Sequence, residues 1–286
     1  MAKQIGIVGT GRMAQALGSL LRASGIAVSA IAGRRLEAAA LAAAFIGAGE
    51  IVAMTELSKH ALEILIAVSD DAIAGVAHSL AACDIAPRTV LHTSGSAGPE
   101  ALAELRVRGV SVGVLHPLQT VPTPESGVKA LPGSTFGCAG DPEAVALALE
   151  VVSVIGGKPL LVPAENWQLY HAAAVMASNY EVTLIDAALE LMQHAGIGRA
   201  VALEALASLV LATTENVLAC GPEAALTGPI RRGDAGTVQR HMLALQPVRA
   251  ATRNLYAAAG IRTLAVGSCS GLAPNTVRRI EDTLRT

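Results

Sequence analysis

The distribution of hydrophobic and polar positions divides the chain a little past its middle. Up to about residue 163, short β-branched apolar runs alternate with longer segments of helical periodicity. The runs are QIGIVG (4–9), AVSAIAG (27–33), EILIAVSD (63–70), TVLHTSG (89–95) and VSVGVLHP (110–117); the helical segments between them are 12–24, 35–45, 71–81 and 98–108. This alternation predicts βαβ units, and runs apolar on both faces predict a mostly parallel sheet covered by helices on each side. STFGCAG (134–140), the helical DPEAVALALEVVSVIG (141–156) and KPLLVP (158–163) complete the sheet. From residue 165 no strand pattern is left. A helix of roughly 30 residues is predicted over 165–195, ending at HAGIG, with further helices at about 199–219, 234–245, 247–259 and 274–285. Pro274 suits the first turn of the last. The expected domains are thus α/β over 1–163 and all-α over 164–286. The apolar surface of the helix at 165–195 exceeds what one small domain covers, so a homodimer through the C-terminal helices is expected.

Composition narrows the partners. The 286 residues suffice for two cores. Net charge is −2, from 21 basic and 23 acidic side chains without a long run of either sign, which gives no footprint for nucleic acid or an anionic membrane. Aromatic residues are 2% of the chain, too few for a base-stacking platform, so a small-molecule substrate is the expected partner. Glu150, Glu204 and Glu215 interrupt the most apolar helices, and none offers about 18 uncharged apolar residues, so no membrane span is expected. MAKQIGIVG enters a strand with no apolar signal segment before it, which points to the cytoplasm. Cys83, Cys138, Cys220 and Cys269 stand singly, without C-x-x-C spacing, so neither a metal site nor a disulfide framework is expected.

The first turn carries the clearest chemistry. GTGRMA places Gly9, Thr10, Gly11, Arg12, Met13 and Ala14 between a strand and a helix. Gly9 makes the sharp turn, Gly11 lets backbone approach a pyrophosphate, and Ala14 allows close helix–strand packing. The helix N-terminus then faces the phosphates. This predicts a Rossmann-type, doubly wound dinucleotide-binding domain; the alternative is a purely structural glycine turn. After the second run, where an NAD enzyme carries an acidic residue, this chain has Arg34 and Arg35. Two guanidiniums suit a 2′-phosphate, so NADP(H) is the expected cofactor.

Ligands of open α/β sheets sit beyond the carboxyl ends of strands. Ser69 and Asp70 follow one run and Ser94 another; all are expected near the nicotinamide end, with ordinary turn and N-cap roles as the alternative. His116 ends a run and is a candidate general acid, because an unperturbed imidazole titrates near neutrality. His92, inside its run, reads as a core histidine. In LTGPIRRGDAGTVQRHM (226–242), Gly228, Pro229 and Gly233 predict a tight loop, and Asp234 a cap for a helix presenting Thr237 and His241 at i and i+4. Arg232 would clamp a substrate carboxylate, with Thr227, Thr237 and His241 completing the pocket; in the structural reading Arg232 and Asp234 pair.

Through Gly9–Ala14, Arg34, HTSGS, HPLQT, YHAAAVMASNY and LTGPIRRGDAGTV, the sequence resembles bacterial proteins in which a Rossmann-like domain precedes a helical domain of unknown function, often labelled NADP oxidoreductases. Its first half is similar to a wider superfamily that includes pyrroline-5-carboxylate reductase, ketopantoate reductase and the β-hydroxyacid dehydrogenases. The resemblance implies an NADP-linked reductase fold, a cleft between two domains and frequent dimers. In the last two groups the corresponding helix supplies a lysine and, four residues on, an asparagine. Here no lysine is present, and His171 stands at the equivalent face, with Ser178 and Asn179 within about 80° of it on an unbroken helix. A histidine can protonate a carbonyl or imine undergoing reduction, but the permanent cation for a carboxylate is lost. The expected activity is NADPH-dependent reduction of a carbonyl or imine on a small, carboxylated substrate, with His171 or His116 as proton donor and Asn179 and Arg232 beside the reacting group. The alternative is a non-catalytic NADP-binding sensor or assembly protein. A deazaflavin co-substrate rests only on the labels of relatives.

Overall fold

The structure, a computed structural model, describes residues 4–268 and 271–286; Cys269 lies outside the described residues. Strands β1 (Gln4–Val8), β2 (Ala27–Ala32), β3 (Glu50–Ile51), β4 (Glu63–Ile66), β5 (Thr89–His92), β6 (Ser111–Pro117), β7 (Thr135–Gly140) and β8 (Lys158–Leu161) form one sheet, ordered β3-β2-β1-β4-β5-β6-β7-β8. All neighbours are parallel except β6 and β7. The sheet is doubly wound, because the direction of strand addition reverses at β1 and β4.

Alternation at period two sends successive strand residues to opposite faces. Ile5, Ile7 and Leu65 join α1 (Arg12–Ala23) in one core, while Val8, Ile64 and Ile66 pack into the other. α2 (Leu36–Ile46), α3 (Leu57–His60), α4 (Ile73–Ala81), α5 (Ala103–Val107), α6 (Pro124–Ala130) and α7 (Pro142–Val154) complete the connections. The short β3 and α6 have no counterpart in the hydrophobic pattern. β3 is two exposed residues, and α6 is held by a reciprocal Thr123–Ser126 capping box with Pro124 in its first turn.

The predicted long helix is two helices. α8 (Trp167–Ala177) ends before Ser178, whose φ of −125° and ψ of −71° leave the helical region, and α9 (Asn179–His194) begins at the next residue. Serine and asparagine compete with the helix through local hydrogen bonds, which explains a break that apolar periodicity alone conceals. The compact units divide after Ala177, one helix beyond the expected boundary at 163 and 164. α8 belongs to the first unit because Trp167, 1% exposed, packs with Val114 and Ala139, and its indole N–H donates to the Gly95 carbonyl at 2.8 Å.

The second unit is helical throughout its described residues. α10 (Arg199–Cys220), α11 (Pro222–Ala225), α12 (Gly228–Arg231), α13 (Ala235–Ala244), α14 (Ala250–Ser268) and α15 (Pro274–Arg285) follow α9. α14 runs nine residues beyond the predicted end at 259. The core is small: Ile230, Val238, Leu264, Ile280 and Leu284. Glu190 on α9 accepts two hydrogen bonds from Arg249 at 2.6 and 2.7 Å and another from Thr252, and these hold its carboxyl down to about 2. In contrast, α10 buries little beyond Ala202, leaving Leu211 63% and Leu218 82% exposed. Among the described residues it is the one helix long and apolar enough to cross a membrane by length and composition, with mean hydropathy 1.5, although it carries Glu204 and Glu215.

Candidate functional site

The chain leaves β1 through Gly9, whose φ is +123°. A β-carbon there would lie 2.1 Å from the Ala67 carbonyl oxygen, so both conformation and space demand glycine. The Gly9 amide donates to the Ala32 oxygen at 2.9 Å, and the Ala67 amide to the Val8 oxygen at 2.8 Å. The turn is therefore clamped between β2 and β4, where the strand order reverses. Gly11 plays a different part. Its φ of −78° is ordinary and nothing lies within 4 Å of where its β-carbon would be, so it leaves the start of α1 uncovered. No side chain caps α1, and its first turn has no acidic residue, which leaves an electropositive helix end.

The other residues of this segment surround that end. Thr10 packs against Gly33, and its carbonyl accepts from the Gln15 amide nitrogen at 2.9 Å. Arg12 is exposed and donates to the Pro122 oxygen at 3.1 Å. Met13 leans on the core, and Ala14 is fully buried in it. Arg34 and Arg35 follow Gly33 at the end of β2, both exposed and neither in an ion pair among the described residues; Arg35 is also the N-cap residue of α2.

The ends of β4 and β5 lie alongside, with Ile66 paired to His92. Ser69 is exposed and precedes a single 3-10 turn, Asp70–Ala72. The Asp70 carboxylate accepts from the Ser96 hydroxyl, which lies 3.2 Å from that of Ser94. Burial pushes the Asp70 carboxyl up, but hydrogen bonds from Ser96 and Ser94 and the charges of His171 and His92 outweigh it and hold it below the usual range. Ser94 is buried and accepts from the Ala97 amide at 3.2 Å, so its hydroxyl is engaged within the loop. His92 is fully buried. Its Nδ1 accepts from the Ser94 amide at 3.3 Å while Nε2 lies 3.1 Å from the Gly98 oxygen, which places the ring proton on Nε2. Burial drives its pKa down to about 4, the state of a neutral core histidine.

At the end of β6, half-buried His116 meets α8. Its Nδ1 is 2.9 Å from the Tyr170 hydroxyl, and its ring stands edge-on to His171 at 6.0 Å between centroids. Trp167 packs on Tyr170 at 4.8 Å, and the Gln168 amide donates to the Ser96 oxygen at 3.1 Å, so the first turns of α8 are fixed to the loop after β5. Burial, then the charge of His171, lowers the His116 pKa to about 4. Held there, the ring is neutral at neutral pH, which speaks against His116 as a cationic general acid. Tyr170 and Trp167 escaped the sequence reading, although W-x-x-Y spacing places them one helical turn apart.

Ser178 and Asn179 lie beyond the break, as the residue before α9 and its first residue, so the angular relation of an unbroken helix does not link them to His171. In the second unit, Asp234 caps α13 as expected: it accepts from the Thr237 amide at 3.0 Å and the Thr237 hydroxyl at 2.6 Å. Those bonds hold its carboxyl low. Arg240 donates to the same hydroxyl at 2.6 Å, and His241 Nδ1 lies 2.7 Å from the Tyr256 hydroxyl. The alternative Arg232–Asp234 pair is not formed; the Arg232 guanidinium is exposed and outside any ion pair among the described residues. Thr227, also exposed, precedes α12 without a side-chain cap.

Residues 2–117 match the Rossmann-like domain family, and residues 134–263 match the domain of unknown function DUF2520. Among curated proteins, none matches the sequence significantly. The fold is similar to that of protein TM1727 from Thermotoga maritima, with 23% identity and a TM-score of 0.73 over 99% of this chain and 100% of that one. BF3122 from Bacteroides fragilis, provisionally named an NADP oxidoreductase, gives 22% and 0.71 over 92% and 97%. A reductive aminase from Aspergillus terreus, solved with NADPH and ethyl-5-oxohexanoate, gives 15% and 0.62 over 100% and 93%. At these identities the likeness establishes the fold.

Proposed function

The chain joins a Rossmann-like domain to DUF2520, and from that premise we propose that it is an NADP(H)-dependent oxidoreductase reducing a carbonyl or imine on a small, carboxylated substrate. The observation that carries this reading is the turn at Gly9–Ala14: a positive-φ glycine pressed against β4, followed by an uncapped helix start free of acidic residues. That arrangement fits a pyrophosphate. Arg34 and Arg35, exposed at the end of β2 and in no ion pair among the described residues, fit the 2′-phosphate. The NADPH in the structurally similar reductive aminase supports the same choice. When bound, the cofactor supplies hydride. The chain orients the reacting carbon beside the ends of β5 and β6, and His171 provides the proton.

The test is loss of reduced-nicotinamide absorbance with 2-oxo acids, cyclic imines and aldehydes. Turnover is expected with at least one class, with NADPH preferred over NADH. Arg34→Asp should reverse that preference, because a charge-assisted phosphate contact of about 1.5–3 kcal/mol corresponds to roughly 10- to 100-fold in affinity. Equal Michaelis constants for the two cofactors would remove the NADP(H) assignment. Tight binding with no turnover would favour the non-catalytic alternative.

The bare apolar face of α10 is read as covered by a second copy of the chain, since soluble monomers rarely expose so continuous a patch. Light scattering at micromolar concentration should then give twice the chain mass, and a monomer mass would end the dimer reading.

A further inference from the structure

We propose that Tyr170 is a positioning residue that fixes His116 as the tautomer with its proton on Nε2, so that His116 meets the substrate heteroatom as a neutral hydrogen-bond donor. The assignment of Nε2 to the substrate rests on the reductase reading; the tautomer itself rests on the Tyr170–Nδ1 contact and the neutrality of both groups. The Tyr170 hydroxyl lies 2.9 Å from Nδ1. Burial pushes the Tyr170 phenol up to about 12 and the His116 imidazole down to about 4, so both are neutral across the physiological range. One proton must then lie between them. A phenol is the stronger donor and an imidazole nitrogen the stronger acceptor, so Tyr170 donates, Nδ1 accepts, and the ring proton resides on Nε2.

Two glycines make room for this pair. Neither Gly95 nor Gly137 has a positive φ, so neither is required by backbone conformation. A β-carbon at Gly137 would lie 2.3 Å from the Tyr170 hydroxyl oxygen. One at Gly95 would lie 2.5 Å from Nε2 of His116 and 2.7 Å from Cδ2 of His171. The backbone thus gives up side chains at both ends of the pair. Trp167 locks the assembly from behind, with its indole on the Gly95 carbonyl and its ring edge-on to His116 at 6.3 Å. Nε2 makes no hydrogen bond among the described residues, and this half-buried donor stands next to His171. The titratable groups facing His116 are Tyr170 and His171 on α8, Asp70 after β4 and His92 on β5, with Cys138 of β7 behind Tyr170.

The experiment is nitrogen NMR of histidine-labelled protein saturated with NADP, with the His116 signals assigned by their loss in His116→Gln. Wild type should show a pyridine-type Nδ1 and a pyrrole-type Nε2, unchanged from pH 8 to about 6. Tyr170→Phe should release the preference, mixing the two tautomers, and lower kcat about tenfold with the NADPH dissociation constant unchanged. A proton on Nδ1, or titration in that range, would overturn the proposal from the wild-type spectrum alone, even if Tyr170→Phe fails to fold. An unaltered tautomer in folded Tyr170→Phe would also overturn it. If the predicted tautomer is found in a protein without turnover on any carbonyl or imine, the reductase reading falls while the role of Tyr170 stands.

Discussion

Replacing His171 by alanine is expected to lower kcat about a hundredfold while leaving the NADPH dissociation constant within about twofold. Among the groups that the first unit brings together, His171 is the one left to supply a proton. His116 holds its pKa at about 4 and has no proton to release from a cation at neutral pH. The Tyr170 hydroxyl is committed to Nδ1 of His116 at 2.9 Å. Asp70 is held as a carboxylate by Ser96 and Ser94, so it can accept but not supply. His171 remains, half-exposed on α8 beside Nε2 of His116, which makes no hydrogen bond among the described residues. It borders Gly95 and His116 and makes no hydrogen bond to the glycine turn among the described residues, so cofactor affinity should survive. Stopped-flow measurement of nicotinamide oxidation under saturating substrate separates the chemical step from product release. Full activity in His171→Ala would place the proton donor elsewhere.

Replacing Gly9 by valine should abolish dinucleotide binding and destabilise the first unit by on the order of 3 kcal/mol. A β-branched residue is poorly accommodated at a φ of +123°, and its first carbon would meet the Ala67 carbonyl at 2.1 Å. That carbonyl cannot swing away cheaply, because the amide of the same residue is bonded to the Val8 oxygen at 2.8 Å. Gly11→Ala provides the control. Open space and an ordinary φ mean that the fold should tolerate the methyl, whereas a ligand lying on the helix end should not. Urea melts together with NADPH fluorescence distinguish the two variants. Normal NADPH binding by Gly9→Val would show that the turn is not the cofactor site.

Much of the first unit was legible because its strands are covered on both faces, so runs such as ILIAV (64–68) stand out as continuous apolar segments. The Gly9–Ala14 turn was legible because each position has a separate steric reason. Two-residue β3 was not, being too short for any periodicity, and the reversal of β7 leaves no local mark. Ser178 ended a helix whose apolar rhythm runs straight through it. The cap made by Asp234 could be read from D-A-G-T spacing, but not that both the amide and hydroxyl of Thr237 would take its carboxylate in place of Arg232. His116 was found by position, yet its charge state depends on burial beneath α8, which no local pattern reports. Tyr170 was missed because its meaning comes from His116 and Gly137, both distant in the chain.

The ordinary backbone at Gly95 and Gly137 has an evolutionary corollary. Volume alone forbids larger residues there, so a methyl group becomes admissible once the ring opposite it shrinks. Positions 137 and 170 are therefore free to drift only as a linked pair, and position 95 only together with both 116 and 171, so replacements combined within each set should depart strongly from additivity.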